Sequence, residues 1–394
     1  MLHRGSLPST SDQTELAELV KQSGLRRVHL LAWRDLADSE AGGSEVHAST
    51  ISAIWAAAGV EVTMRTSFAP GQPHDDAREG YRVVRRGSRY DVFPRAIAAE
   101  LAGRHGRRDA LVEIWNGVPW LSPLWARGPR VVWMHHIHGS MWKMALPAPL
   151  APLGDLLERR VAPPFYRRTR VITLSESSKA EMVHKLGWQA ANVGVIPPGI
   201  GPLFRPGTAK SPTPLVVAVG RLMPAKHFDE LIRLLAPLRE RLPGFELVIV
   251  GEGTERPRLE SEIRRLGASK FVHLAGRISD EDLIALYQRA WLLTAASEAE
   301  GWGMTITEAA ACGTPAVVTD IGGHRDAVVA GVSGELAPLA ILGKVVEAVL
   351  SDRDRLARLT RGALDHATRF TWQATALATY RELADDAARR KARS

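Results

Sequence analysis

The chain is expected to be an α/β protein made of two doubly wound domains. Three observations predict this. Short apolar runs of strand length alternate with helix-favouring stretches. The alternation occurs as two successive series. Between them lies the densest Pro/Gly stretch of the chain, from Pro197-Pro198-Gly199 through Pro206 to Pro212-Thr213-Pro214. A length of 394 residues exceeds one ordinary core and suits two domains.

Residues 1–12 are polar and read as loose, and residues 13–23 can form a short helix. Val28–Trp33 has the composition of a buried parallel strand. A loop with Gly42-Gly43 precedes a helix from about Ser44 to Ala58, and Val60–Met64 is the next strand. Ala110–Ile114, Arg130–Met134, Val171–Leu174 and Val193–Ile196 complete the first series. The second contains Leu215–Val219, Leu247–Val250, Val272–Leu274, Leu292–Ala295 and Ala316–Val318. Thr371–Ala392 reads as a charged helix. The assignment is a first domain over 1–205, a second over 213–375, and a helix in 376–394 that packs back on the first. Parallel sheets of this kind place ligands at the C-terminal ends of their strands, in a cleft between the domains.

Lys and Arg total 51 against 43 Asp and Glu, a net charge of +8. This suits anionic partners, such as nucleotide diphosphates, phosphorylated acceptors, an acidic membrane face or nucleic acid, or reflects an arginine-rich genome. The single cysteine, Cys312, rules out an intramolecular disulfide and is expected as a small buried thiol in an Ala-rich helix. Met1–Gly24 lacks the apolar core of a signal peptide, and no apolar run is long enough to span a membrane. The expected location is the cytoplasm, with peripheral contact at the inner membrane face kept open.

The densest chemical signal is Glu300-Gly301-Trp302-Gly303-Met304-Thr305-Ile306-Thr307-Glu308, running into Ala309–Pro315. A glycine turn opening into a helix offers free backbone N–H groups to an anion. The flanking carboxylates repel phosphate but accept hydrogen bonds from sugar hydroxyls. The segment therefore reads as a site for a ligand with both, such as a nucleotide sugar. Arg221 and Lys226 lie in the turn after the first strand of the second series. Arg offers a planar fork and Lys a compact charge to phosphate oxygens.

Other groupings stay open from residue type alone. Gly42-Gly43 permits close approach of a phosphate, or is a plain helix entry capped by Ser44. His135, His136 and His138 follow a strand. Adjacent residues there point to opposite sides, which makes a poor metal chelate, so they read as ligand contacts or as structural histidines. Trp115, Trp120, Trp133 and Trp142 are sugar platforms or core, the core being the commoner role. Arg159-Arg160 and Arg167-Arg168-Arg170 bracket Val161–Tyr166; a solvated surface is favoured over a membrane site because Pro163-Pro164 interrupts an amphipathic helix.

Taken in order, these motifs resemble family 4 of the retaining glycosyltransferases, which has the GT-B fold of two Rossmann-like domains facing each other across a cleft. The resemblance rests on Glu300-x7-Glu308 with the run to Pro315, and on Val219-Gly220-Arg221-Leu222 with Lys226 behind it. It also rests on Ser175–Ser178, Val195–Gly199, Gly322-Gly323, Gly42–His47 and His135–His138. Departures are Pro198-Gly199-Ile200-Gly201 in place of the usual Asn-Gly-Val-Asp, His227 where glycine is common, and Asp326 in place of glutamate.

The resemblance implies a metal-independent hexosyltransferase that needs no cofactor. Its donor would be a UDP-sugar or GDP-mannose and its acceptor a hydroxyl on a glycolipid, envelope glycan or glycosylated metabolite. Arg221 and Lys226 would stabilise the departing nucleotide, Glu300 would hold donor-sugar hydroxyls, and Glu308 the ribose. Backbone at Gly301, Trp302, Gly303, Met304 and Thr305 would bind sugar and phosphate. Gly43 would approach the β-phosphate, His135 or His136 the sugar, and Arg277-Ile278 the base. Rival readings are a sugar-nucleotide epimerase or phosphorylase on the same scaffold, for whose pyridoxal form no Schiff-base lysine stands out, and a non-catalytic binder. Nucleic acid is not an expected partner, since no zinc-finger spacing, basic helix or RNA-binding aromatic pattern occurs.

Overall fold

The computed structural model describes residues 10–139, 142 and 151–393, with backbone only for Thr10 and Ser11. Residues 1–9, expected to be loose, lie outside the described residues. The chain forms two compact units: residues 10–199 together with 372–393, and Ile200–Thr371. The division falls at Gly199–Ile200 rather than at 205 because Ile200 already belongs to the second unit. Its N–H donates to the Phe370 carbonyl at 3.1 Å, and it bridges to Thr371.

The first unit is built on eight strands: β1 (Arg27–Leu31), β2 (Glu61–Thr66), β3 (Asp75–Arg78), β4 (Tyr81–Arg85), β5 (Ala110–Ile114), β6 (Arg130–Trp133), β7 (Arg170–Thr173) and β8 (Val193–Val195). Their order is β3-β4-β2-β1-β5-β6-β7-β8, and all neighbours are parallel except β3 and β4. Every residue of β5 and β6 is buried, as expected for strands covered on both faces. The β3–β4 hairpin is unforeseen. Asp75 and Asp76 lack apolar character, and ion pairs to Arg82, Arg86 and Arg85 hold this edge instead.

The four tryptophans are core. Trp115, Trp120, Trp133 and Trp142 are at most 4% exposed. The indole N–H groups of Trp115 and Trp120 donate to the carbonyls of Gly117 and Ile114, and that of Trp142 to the Glu158 carboxylate. These bonds cover the desolvation cost of the buried donors.

The helix Trp372–Lys391 completes this first unit against Thr10–Ser23 and Gly43–Ala57. Tyr380 donates to the Leu25 carbonyl, Trp55 to the Ala376 carbonyl, and the Arg130 N–H to Asp386. Arg170 and Glu382 form a two-point ion pair at 2.7 Å.

The second unit carries β9 (Leu215–Val219), β10 (Glu246–Val250), β11 (Val272–Gly276), β12 (Leu292–Ala295), β13 (Ala316–Thr319) and β14 (Gly334–Ala337). All are parallel, in the order β11-β10-β9-β12-β13-β14. Counted within the unit this is 3-2-1-4-5-6, the dinucleotide-fold order. Chain direction across the sheet reverses between β9 and β12, so the loops leaving those two strands diverge and open a crevice at their C-terminal ends. Arg221 and Lys226 follow β9, and Glu300 follows β12.

Cys312 lies one residue beyond the helix Met304–Ala311 rather than inside it, since Gly313 at φ +74° ends the helix. It is 1% exposed, and burial pushes its thiol up to about 12, which leaves it inert.

Candidate active site

The loop that carries Arg221 is held by backbone. The Gly220 N–H donates to Val250 O at 3.0 Å and the Leu222 N–H to Glu252 O at 2.9 Å. Contact this close requires glycine on the facing loop. A Cβ on Gly251, at φ +141°, would stand 1.9 Å from Gly220 O, and one on Gly253 would stand 2.2 Å from Leu222 O. The Arg221 side chain is exposed and makes no ion pair among the described residues. A rigid backbone thus presents a free guanidinium.

Five residues on, Lys226 closes a single turn of 3₁₀ helix, Pro224–Lys226, and its ammonium donates to Glu300 Oε1. The backbone ties the same loops, with Glu298 N–H on Ala225 O at 2.9 Å. The side chains of Lys226 and Glu300 are 24% and 21% exposed. His227 then adopts φ +47°, a left-handed conformation that glycine takes without strain, and so accounts for the glycine usual at this point.

Glu300 is surrounded on one side only. Ser297 Oγ donates to the same Oε1 at 2.9 Å, and no hydrogen bond reaches Oε2 among the described residues. Burial opposes its ionisation, but the Lys226 charge and hydrogen bond, with His324 and Ser297, outweigh that and hold the carboxyl below its ordinary range. His324 is 1% exposed and its Nδ1 faces Thr319 O at 2.8 Å, while burial pushes its pKa below the ordinary imidazole value. Neither Ser297 nor His324 was identified from sequence; Gly322-Gly323 beside His324 was the available signal.

Gly323 supplies the close packing. A Cβ there would lie 2.4 Å from Glu300 O and 2.8 Å from Trp302 N. Gly323→Ala is therefore expected to push the Glu300 loop outward and raise the donor KM at least ~tenfold, with the sheet intact. Steady-state kinetics and circular dichroism check this.

The helix Met304–Ala311 starts at Gly303, whose φ of +106° suits glycine. Its first-turn N–H groups at Met304 and Thr305 have no intrahelical acceptor. Gly301 and Trp302 bridge Glu300 to this start; Trp302 is 5% exposed and packs edge-on against Phe370 at 5.2 Å. One turn along, Glu308 is half-buried. Burial first, then the Asp280 charge, push its carboxyl up to about 7 against the opposing Tyr287 hydroxyl. Tyr287 is fully buried on the helix Asp280–Arg289, and no spacing in the sequence links it to Glu308. Arg277 and Ile278 occupy the loop between β11 and that helix. A cavity of about 220 Å³ borders the site, lined in part by His227, Ser297, Glu298, Asp320 and Ile321.

Gly43, His135 and His136 belong to the first unit. Gly42, not Ser44, is the helix cap residue, and Glu45 reaches back to accept the Gly42 N–H at 2.8 Å. His135 is 5% exposed, with Nε2 at 3.2 Å from His47 Nδ1 and Nδ1 without a partner among the described residues. Burial depresses its pKa well below the ordinary imidazole value. His136 is half-buried and stacks on His138 at 4.9 Å.

The chain matches two family models in succession: Glycosyltransferase Family 4 over residues 41–202 and Glycosyl transferases group 1 over residues 202–365. It is 28% identical to a D-inositol 3-phosphate glycosyltransferase of Segniliparus rotundus over 91% of this chain and 89% of that protein. It is 35% identical to a glycogen synthase of Mycobacterium tuberculosis, but that match spans only 53% of this chain and 52% of the relative. Among solved structures, sucrose-phosphate synthase of Thermosynechococcus elongatus superposes with a TM-score of 0.77 at 21% identity, covering 90% and 98% of the two chains. Anabaena HepE with UDP and glucose superposes with a TM-score of 0.70 at 20% identity, covering 91% and 100%. The structural likenesses fix the fold, GT-B, and the sequence matches fix the lineage: this chain belongs to glycosyltransferase family 4, and it is a glycosyltransferase.

Proposed function

We propose that the protein transfers a hexosyl group, with retention and without a metal, from a nucleotide-diphosphate sugar to a hydroxyl acceptor. UDP is the favoured nucleotide, since the Anabaena relative of this fold was solved with UDP and with UDP-glucose. The observation that carries the proposal is the Lys226–Glu300 pair at the point where the second sheet reverses direction, with the exposed Arg221 on the same loop as Lys226.

The chemistry follows from where charge develops. Breaking the bond between the anomeric carbon and the phosphate oxygen leaves positive charge on the sugar and negative charge on the diphosphate. Arg221, Lys226 and the first-turn N–H groups of Met304 and Thr305 stabilise the departing diphosphate. Glu300 Oε2, which no hydrogen bond reaches among the described residues, accepts donor-sugar hydroxyls while Oε1 stays with Lys226 and Ser297. Glu308 accepts the ribose hydroxyls. The acceptor oxygen bonds to the anomeric carbon from the leaving-group side, and its proton passes to the departing phosphate oxygen.

Following the reaction by proton NMR in EDTA tests this reading. Transfer should continue, with the product linkage keeping the donor's anomeric configuration. Inverted product, or activity lost in EDTA and restored by a divalent ion, would contradict it.

A further inference from the structure

Pro163-Pro164 was expected to interrupt the helix beside the arginine clusters, but helical turns continue through it. They run Ala151–Leu156, Leu157–Val161 and Pro163–Tyr166, and the prolines occupy the first turn of the last segment, where no intrahelical N–H is needed. Ala151, Gly154, Glu158, Ala162 and Tyr166 form the inner, buried face at helical spacing.

The outer face is also apolar. Leu153 is 59% exposed, Leu156 and Val161 47%, and Phe165 44%. Leu124, 58% exposed, lies on the short helix Ser122–Trp125 that packs against Pro163–Tyr166. Five of the eleven large apolar side chains exposed among the described residues therefore gather on one surface of the first unit. Isolated exposed leucines need no explanation, but a concentration of them does.

Cations surround this patch. Arg159, Arg160, Arg167 and Arg168 are all exposed. Only Arg159 has an ion-pair partner among the described residues, Asp155 at 3.3 Å. We propose that this surface docks the protein onto an anionic lipid bilayer, the apolar side chains entering the interface and the arginines meeting the headgroups. A second copy of the chain fits poorly, because a two-fold interface would set the same arginines face to face. Single-stranded nucleic acid fits poorly too, because four of the five exposed side chains are aliphatic and Phe165 alone offers a ring on which a base could stack. No helix among the described residues is long and apolar enough to cross a membrane, so the attachment would be peripheral. The inference stands independently of which sugar is transferred.

Vesicle co-sedimentation with the full chain is the test, using phosphatidylcholine alone and phosphatidylcholine mixed with phosphatidylglycerol. Binding should require the anionic lipid and weaken as salt rises. Arg167→Ala/Arg168→Ala and Leu156→Ser/Phe165→Ser should each lower partitioning roughly tenfold, with melting temperature and nucleotide binding unchanged. Absence of binding to anionic vesicles, equal binding to neutral ones, or variants that partition like the wild type would overturn the proposal. If a double variant fails to fold, the lipid and salt dependence of the wild type decides alone. Concentration-dependent dimerisation through this face without vesicle binding would assign it to self-association instead.

Discussion

Lys226→Ala is expected to lower kcat about a hundred- to a thousandfold, the range for removing one fixed donor from a developing negative charge. Arg221→Ala should act similarly on turnover, but the two variants separate in stability. Arg221 makes no ion pair among the described residues and is exposed, so its loss should leave the melting temperature nearly unchanged. Lys226 offsets the burial of Glu300, whose Oε1 would otherwise keep only Ser297 as a hydrogen-bond donor. Removing it leaves a half-buried carboxylate short of a partner, a cost of about 1–3 kcal/mol. The double variant Lys226→Ala/Glu300→Gln removes that unpaired charge. It should recover most of the lost stability while turnover stays low. Kinetics and thermal melts on these variants separate support of the loop from stabilisation of the leaving group. Recovery of turnover along with stability would reduce Lys226 to a structural role.

Glu308→Gln is expected to stabilise the protein at alkaline pH while weakening nucleotide binding ten- to a hundredfold, roughly what loss of one or two charge-assisted hydrogen bonds costs. Burial, more than any other cause, pushes the folded carboxyl up from its ordinary value of 4.5 to about 7. Its contribution to stability is therefore fully present below the unfolded value and is lost as pH rises through the folded one. At pH 8 the ionised carboxylate opposes folding by about 3 kcal/mol. Glutamine is neutral at every pH and removes this penalty. Its melting temperature should exceed the wild type's at pH 8 and fall level with it only below the unfolded value of 4.5. Ribose hydroxyls donate best to the ionised form, so wild-type donor affinity should drop as pH falls below 7. The strain is thus the expected companion of a binding role. Equal melting curves at pH 8 would show that Glu308 is not held in an unfavourable site.

Much of the fold was legible because buried parallel strands leave continuous apolar runs. Ala110–Ile114, Leu215–Val219 and Leu292–Ala295 have the bounds that composition suggested. The β3 edge and β14 were missed because Asp75–Arg78 is charged and Gly334–Ala337 too short and mixed to register; pairing to a neighbour defines both. The site was legible where chemistry keeps a fixed spacing, as in Glu300 to Glu308. Ser297 and His324 were not, because Thr319 and Gly323 bring His324 to Glu300 only after β12 and β13 pair. Tyr287 reaches Glu308 from a separate helix. Sequence also could not weigh Glu308 against burial: one carboxylate of the motif is held ionised by Lys226, while the other is pushed toward protonation.

The most direct measurement is calorimetric titration of UDP, GDP and the matching nucleosides into wild-type and Arg221→Ala protein. One diphosphate should bind the wild type, and the substitution should weaken it at least ~tenfold while leaving the nucleoside's affinity unchanged. Diphosphate binding that ignores Arg221, or a wild type that binds neither nucleotide, would place the donor somewhere other than the loops after β9 and β12.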